Sequence, residues 1–98
     1  MEKLNSQERI CEIIAQLYKN HINGLANKEL ATLVGTSEAN ICRDLAIFQK
    51  YHWIERSQLS GKWRLSPGFS NISGVIAKSY KEASRRLHED EERYTSNL

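Results

Sequence analysis

The sequence predicts a mainly α-helical fold with one small β-hairpin, and three observations support this prediction. Apolar residues recur at helical spacing in three stretches before residue 51 and again after Pro67. Between these stretches, from Trp53 to Ser66, apolar and polar residues alternate as they do in strands. The length of 98 residues allows a single domain. We therefore divide the chain into a domain of residues 1–66 and a C-terminal helix of residues 67–98 with a frayed end.

The first helix is predicted over residues 5–20. Asn5 and Glu8 have the spacing of a capping pair, and four apolar residues then recur at intervals of three and four, namely Ile10, Ile13, Ile14 and Leu17. Turn residues at positions 20–24 end this helix. Leu25, which follows them, is predicted to lie in a minimal strand.

Residues 27–51 predict two helices joined by a tight turn. Asn27 is expected to cap the first helix and Ser37 the second, while Gly35 supplies the turn between them. The second helix is expected to bury Ile41, Leu45 and Phe48. A small residue, a glycine and a β-branched residue stand where two steeply crossing helices need them, at Ala31, Gly35 and Ile41. This spacing is typical of a helix-turn-helix, so the domain is predicted to be a winged helix-turn-helix.

The alternating stretch after Tyr51 predicts the wing, a β-hairpin that follows the second motif helix. Trp63 and Leu65 are expected to point towards the helices, and Lys62, Arg64 and Ser66 away from them. Gly61 and Lys62 lie near the predicted tip, within reach of a phosphate or a minor groove. For Trp53 and Trp63 we favour core packing over base stacking.

The net charge of +2 hides an uneven distribution. Residues 1–42 hold four basic and five acidic side chains, residues 43–86 nine basic and three acidic, and residues 87–98 one basic and four acidic. The positive charge thus lies on the second motif helix and the segment after it. A nucleic-acid-binding surface is expected in this position.

The residues resemble the winged DNA-binding domain of IclR-type bacterial transcription regulators. The resemblance runs from about Arg9 through Gly24 and Leu25, the two motif helices and the segment YHWIERSQLSGKWRLSPGF. It implies that the second motif helix enters the major groove of double-stranded DNA. It further implies base contacts from Ser37, Ala39, Asn40 and Arg43 and phosphate contacts from Thr36 and Lys62. Arg64, on the outward side of the predicted hairpin, completes the predicted DNA-binding residues.

Three departures from the family pattern stand out. Asp44 occupies a position that is usually apolar, and His52 one that is usually glycine, so the end of the recognition helix is expected to be set differently. Family members continue into an effector-binding domain, and the 98 residues leave no room for one.

The residues themselves support base reading by Asn40 and Arg43, which are three positions apart on a helix. Asparagine pairs with adenine and arginine with guanine, each through two hydrogen bonds. The alternative is a solvated helix face. The carboxylates of Glu38 and Asp44 weigh against nearby phosphates, and they could instead accept a hydrogen bond from cytosine.

The C-terminal helix has an apolar row of Phe69, Ile72, Ile76, Tyr80, Ala83, Leu87 and Tyr94. Gly74 and Asp90 interrupt this row, so a short dimerising helix is expected rather than a long coiled coil. We predict a homodimer through residues 69–87. The alternative is that the helix folds back onto its own domain.

No catalytic residues, cofactor or metal site are predicted. The three histidines are scattered, no nucleophile has a neighbouring base, and Cys11 and Cys42 lack the spacing of a zinc site. We expect both cysteines to be reduced and partly buried. A cytoplasmic protein is expected, since neither a signal peptide nor a membrane span is recognisable. The alternative to DNA binding is an interaction module whose basic surface binds an acidic protein.

Overall fold

The computed structural model describes residues 3–98 and confirms a mainly helical fold with a small hairpin and a long C-terminal helix. Met1 and Glu2, the first residues of the predicted domain, lie outside the described residues. Within residues 3–98, four helices and two strands follow in the order α1 (Ser6–Lys19), α2 (Asn27–Val34), α3 (Glu38–Lys50), β1 (Ile54–Arg56), β2 (Trp63–Leu65) and α4 (Pro67–Thr95). We call residues 3–66 the winged domain.

Helix α1 begins with the predicted capping pair. The Asn5 side chain accepts a hydrogen bond from the Glu8 amide at 2.8 Å, and the Glu8 carboxylate accepts from the Asn5 amide at 3.2 Å. Ile13 and Leu17 of α1 are completely buried. They join a core to which the connection before α2, α2, α3 and the hairpin also contribute, through Leu25, Leu30, Ala31, Val34, Ile41, Leu45, Phe48, Ile54, Trp63 and Leu65.

The turn between α2 and α3 forms as predicted. Gly35 ends α2 with a φ of 79°, a left-handed conformation that costs glycine little. The Ser37 side chain accepts from the Asn40 amide at 3.1 Å and so caps α3. These two local signals allow two short helices to cross with only three residues between them.

The prediction that Asn27 caps α2 is wrong. Ala26 is the N-cap, and the Glu29 carboxylate accepts a hydrogen bond from its amide at 3.0 Å. Asn27 is instead the first residue of the helix, and its side-chain oxygen Oδ1 accepts a hydrogen bond from the indole Nε1 of Trp63 at 2.9 Å. A buried indole N–H needs an acceptor, and the Asn27 side chain supplies it.

The two strands pair antiparallel, with Ile54 opposite Leu65 and Arg56 opposite Trp63. Leu25 adds the predicted minimal strand through two backbone hydrogen bonds with Trp63, of 2.8 and 3.0 Å. Gly24 precedes this bridge with a φ of 73°, and a Cβ atom there would lie 2.5 Å from the Trp63 carbonyl oxygen. The close approach of the two backbones therefore requires glycine at this position.

The outward orientation predicted for Ser66 is wrong, because strand alternation stops at Leu65. Ser66 is buried and is the N-cap of α4. Its hydroxyl donates to the carbonyl oxygen of His52 at 2.6 Å and accepts from the Phe69 amide at 3.3 Å. The end of α3 and the start of α4 are thereby tied together.

Asp44 faces the interior of the winged domain, where it binds Arg9 of α1. The guanidinium donates two hydrogen bonds to the carboxylate, of 2.5 and 3.0 Å. Only 13% of the Arg9 side chain and 8% of the Asp44 side chain are exposed. The neighbouring carboxylate raises the pKa of Arg9, mainly through this hydrogen bonding. A bidentate pair of this kind fixes the relative position of α1 and α3.

His52 adopts a left-handed backbone with a φ of 59°, and it is the one non-glycine residue of the described chain with a positive φ. The helix end therefore has the conformation that glycine would adopt there. The replacement of the family's usual glycine by His52 was expected to change the end of α3, and the backbone of His52 does not show such a change.

Helix α4 extends away from the winged domain and buries none of its residues. Phe69 is half-buried and packs edge-on against Trp53, with ring centroids 5.0 Å apart. Farther along, Tyr80, Leu87 and Tyr94 are all more than 70% exposed. The folded-back alternative is therefore not the arrangement that the structure shows. Gly74 does not interrupt the helix, which continues to Thr95.

The cysteines and the length of the apolar helices were also considered in the sequence analysis. Cys11 and Cys42 are free thiols, and both are exposed rather than partly buried as expected, because they lie beside the apolar faces of α1 and α3. None of the helices in residues 3–98 has the length and apolar character that a membrane span requires.

The Arg9–Asp44 pair predicts an asymmetric response to mutation. We expect Asp44→Ala to lower the free energy of unfolding by about 3 kcal/mol, because it leaves a guanidinium without its partner in a mostly buried position. The double variant Arg9→Met with Asp44→Leu should recover most of that loss. Urea unfolding followed by circular dichroism measures both. A double variant no more stable than Asp44→Ala would contradict this account of the pair.

The strained backbone at His52 predicts a stabilising substitution. We expect His52→Gly to raise the free energy of unfolding by about 0.5–1 kcal/mol, because the relief of left-handed strain exceeds the added entropy of the unfolded chain. His52→Ala is the control and should bring no gain, since alanine shares the strain. The midpoints of urea unfolding, compared at an unchanged dependence of the unfolding free energy on urea concentration, measure the difference in stability. Equal stabilities of the glycine and alanine variants would show that the strain at this residue is negligible.

Candidate nucleic-acid interface

Helix α3 presents one row of side chains to solvent on the side opposite the core. Ala39, Arg43, Ala46 and Lys50 are all exposed and follow one another at intervals of four, three and four residues. We call these four residues the outer face of α3. Among the residues that the structure describes, neither Arg43 nor Lys50 forms an ion pair. The outer face thus combines two free cations with two side chains small enough to let the helix approach a groove closely.

Asp44 and Glu38 affect this face differently. Asp44 is 6% exposed and bound to Arg9, so the suggestion that it accepts from cytosine is wrong. Its burial also removes a carboxylate from a helix that phosphates would have to approach. Glu38 is exposed in the first turn of α3, where a negative charge interacts favourably with the helix dipole.

The predicted residues at the start of α3 form a local hydrogen-bonded cluster. The Asn40 side chain is half-buried and donates to the Thr36 hydroxyl at 3.0 Å, while the Ser37 hydroxyl accepts from the Asn40 amide. Their polar groups therefore partly satisfy one another in the structure. Ala39 and Arg43, by contrast, are exposed, so Asn40 is less accessible than either of them.

The two predicted cations of the wing are engaged in ion pairs. Lys62 Nζ lies 2.9 Å from Glu29 Oε1 at the start of α2, and Arg64 donates two hydrogen bonds to Glu55 on the neighbouring strand. Both pairs are partly exposed, so solvent screens them and a phosphate can compete for the cations. The structure brings Lys62 close to α2 and keeps it from extending beyond the wing.

The wing is held against the helices through Trp63. This residue is 7% exposed, which confirms the preference for core packing. The Arg56 guanidinium lies 4.1 Å from the centroid of its ring and also donates to the Gly61 carbonyl at 2.9 Å. At the tip, the Ser60 hydroxyl donates to the Asn23 carbonyl at 2.5 Å. The tip of the wing is thereby joined to the connection between α1 and α2.

Three exposed residues at this interface were not predicted from the sequence, namely Ala46, Lys50 and Leu59. Ala46 and Lys50 continue the spacing of Ala39 and Arg43, and that spacing was a signal that could have identified them. Leu59 is 88% exposed at the tip of the wing, two residues before Gly61. An apolar side chain in that position suits insertion into a minor groove.

Other kinds of site have little support in the described part of the chain. Within residues 3–98, no three histidine, cysteine, aspartate or glutamate side chains are close enough together to hold a metal ion. An apolar groove lies on the winged domain between α1 and the end of α3, and Trp53 lines it together with Ile10, Ile47, Phe48 and Tyr51. This groove lacks the polar groups that would orient a substrate.

Searches against protein-family models and curated proteins find no match to this chain. The resemblance to IclR-type regulators therefore stays a prediction from the residues quoted above.

The Lys62–Glu29 pair predicts a measurable pKa. The pKa of Glu29 lies below the ordinary 4.5, mainly because its carboxylate is hydrogen-bonded to Lys62 and secondly because it accepts from the Ala26 amide. Because the folded-state pKa is depressed, the stabilising contribution is present above the ordinary pKa and is lost as the pH falls through the folded value. We expect Lys62→Met to raise the pKa of Glu29 in an NMR titration, whereas Lys28→Met should not. A pKa unaffected by Lys62→Met would mean that the pair does not persist in solution.

Proposed function

We propose that this protein binds double-stranded DNA in a sequence-dependent manner and acts as a small transcription regulator. The observation that best supports the proposal is the outer face of α3, on which Arg43 and Lys50 are exposed without an acidic partner among the described residues. Arginine can pair with guanine through two hydrogen bonds, and alanine can contact the thymine methyl group. In this proposal Arg43, Ala39 and Ala46 face the bases and Lys50 faces a phosphate.

The remaining predicted residues have supporting roles in the proposal. Thr36, Ser37 and Asn40 lie at the N-terminus of α3, where Ser37 and Asn40 keep the base contacts that the resemblance implies and Thr36 faces a phosphate. Lys62 and Arg64 would exchange Glu29 and Glu55 for DNA phosphates. A regulator of this IclR-like kind would work in the cytoplasm of a bacterial cell, where the chromosome lies.

A homodimer joined through α4 is the second part of the proposal. Two winged domains held by two α4 helices would present two copies of the outer face of α3. A twofold dimer matches an inverted-repeat DNA site, because each domain then meets the same half-site. The exposed apolar side chains of α4 support this part of the proposal.

The proposal predicts electrostatic binding with one base-reading cation. On a site selected from random duplexes, Arg43→Ala should weaken binding by about 1–3 kcal/mol and relax discrimination at one base pair. Lys62→Ala should weaken binding to all sequences alike, with a shallower salt dependence. Fluorescence anisotropy between low and physiological salt measures each effect.

Lys78→Ala is the matched control, since Lys78 is an exposed cation of α4 far along the chain from α3. It should leave the affinity unchanged. Wild-type binding that is absent, or insensitive to salt, would reject the DNA proposal in favour of an acidic protein partner. Equal losses from Arg43→Ala on selected and random DNA would make Arg43 a phosphate contact.

A further inference from the structure

The apolar row on α4 has the period of a coiled coil once the helix is seen to be continuous. Seven positions follow one another at intervals of four and three, namely Phe69, Ser73, Ile76, Tyr80, Ala83, Leu87 and Asp90, and Tyr94 continues them. We call these eight residues the α4 seam. Five of its members are large and apolar, and four of these, Ile76, Tyr80, Leu87 and Tyr94, are 56–74% exposed. A single helix with such a row has surface to bury against a partner.

We propose that α4 pairs with the α4 helix of a second copy in antiparallel orientation, in the register that places Phe69 opposite Tyr94 and Ile76 opposite Leu87. This inference rests on the homodimer of the proposed function and specifies its geometry. The twofold axis then passes between Lys81 and Glu82. Symmetry produces four distinct layers, each occurring twice, which are Phe69 with Tyr94, Ser73 with Asp90, Ile76 with Leu87 and Tyr80 with Ala83.

The composition of these layers favours the register. The large Tyr80 ring faces the small Ala83, so the layer at the centre of the pair alternates in size as interdigitating side chains require. The two polar seam residues face each other, and the Ser73 hydroxyl can donate to the Asp90 carboxylate. The two interruptions of the apolar row thus fall in the same layer, where each satisfies the other.

Repulsion between acidic side chains disfavours a parallel pair of α4 helices. It would set the two Asp90 carboxylates against each other within the seam and bring the two acidic runs of residues 89–92 side by side. The parallel pair would gain an exposed ion pair between Arg86 of one helix and Glu91 of the other, but exposed ion pairs contribute little to stability. The antiparallel register keeps the two Asp90 residues apart by about 25 Å along the axis, from the rise of an α-helix.

The ends of the helix pair also fit this register. Phe69 packs against Trp53, so the seam begins at the winged domain and beside the apolar groove that Trp53 lines. Helix α4 ends at Thr95, one residue beyond Tyr94. The helix of the second copy would therefore end where it meets this winged domain. The two winged domains lie at opposite ends of the pair, with their Phe69 residues about 38 Å apart.

Ion pairs along α4 add to the stability of a long helix in this exposed position. Arg85 binds Glu82 and Glu89, Arg86 binds Glu82, and Arg93 binds Asp90, all within one helix. Pairs at these spacings stabilise a helix independently of packing. These pairs therefore lower the ordering that pairing requires.

Double electron–electron resonance on the full chain tests whether the two α4 helices are antiparallel. A nitroxide label at Thr95→Cys, in a background of Cys11→Ser and Cys42→Ser, should give an interchain distance of about 40 Å in the antiparallel pair. A distance below about 25 Å would show the parallel pair and overturn the proposal. The absence of any interchain distance would show that α4 does not dimerise and would also overturn it.

Disulfide trapping tests the register. In the same background, a mixture of an Ile76→Cys protein and a Leu87→Cys protein of different mass should form the mixed disulfide, because these side chains face each other. Disulfides between like chains in place of mixed ones would contradict the register. Tyr80→Glu should make the protein monomeric in sedimentation, whereas the matched outward change Lys81→Glu should leave a dimer.

These outcomes separate the inference from DNA binding. Sedimentation, distances and crosslinks are all measured without DNA, and the winged domain of Tyr80→Glu should keep its circular dichroism because α4 contributes no buried residue to the core. A dimer with the expected distances that binds no duplex would reject the DNA proposal alone. A DNA-binding protein with like-chain crosslinks would reject the antiparallel pair alone.

Discussion

The winged domain depends on the burial of Trp63 at the point where the hairpin, the connection before α2 and α2 itself meet. Its backbone pairs with Leu25, its indole N–H donates to Asn27, and its ring lies under the Arg56 guanidinium. Large aromatic residues contribute much of the burial energy of a small core, so these contacts reinforce an already favourable position. A hairpin with only three residues in each strand would be marginal alone, and this residue joins it to the helices.

The Arg9–Asp44 pair also affects which side chains α3 presents to solvent. A carboxylate at position 44 would oppose DNA binding if it faced outward, and its bidentate contact with Arg9 instead turns it towards α1. Buried pairs contribute little net stability compared with apolar residues, but an arrangement of α1 and α3 that separated this pair would leave a buried charge without its partner. The proposed outer face of α3 thus depends on a contact made on the opposite side of the helix.

Local signals predicted most of the fold, and contacts between distant residues account for the differences. The caps of α1 and α3, the glycine at position 35 and the alternation of the hairpin as far as Leu65 act over a few residues and were predicted correctly. Asn27 was predicted as a cap because its preference for that position is local, whereas its observed role depends on Trp63, 36 residues away. The ion pairs of Asp44 and Lys62 likewise join different elements. For the candidate site, helical spacing indicated Asn40 and Arg43 and the family resemblance indicated Ala39, but the half-burial of Asn40 required the structure.

The proposed function requires the outer face of α3 and the wing to meet DNA together. The most direct measurement is a titration of the ¹⁵N-labelled protein with a duplex that binds it, followed by amide chemical shifts. The account predicts the largest changes at Ala39, Arg43, Ala46 and Lys50, with a second group around Leu59 and Lys62. Changes concentrated on α1 or on the apolar groove beside Trp53, with the amides of α3 unaffected, would contradict it.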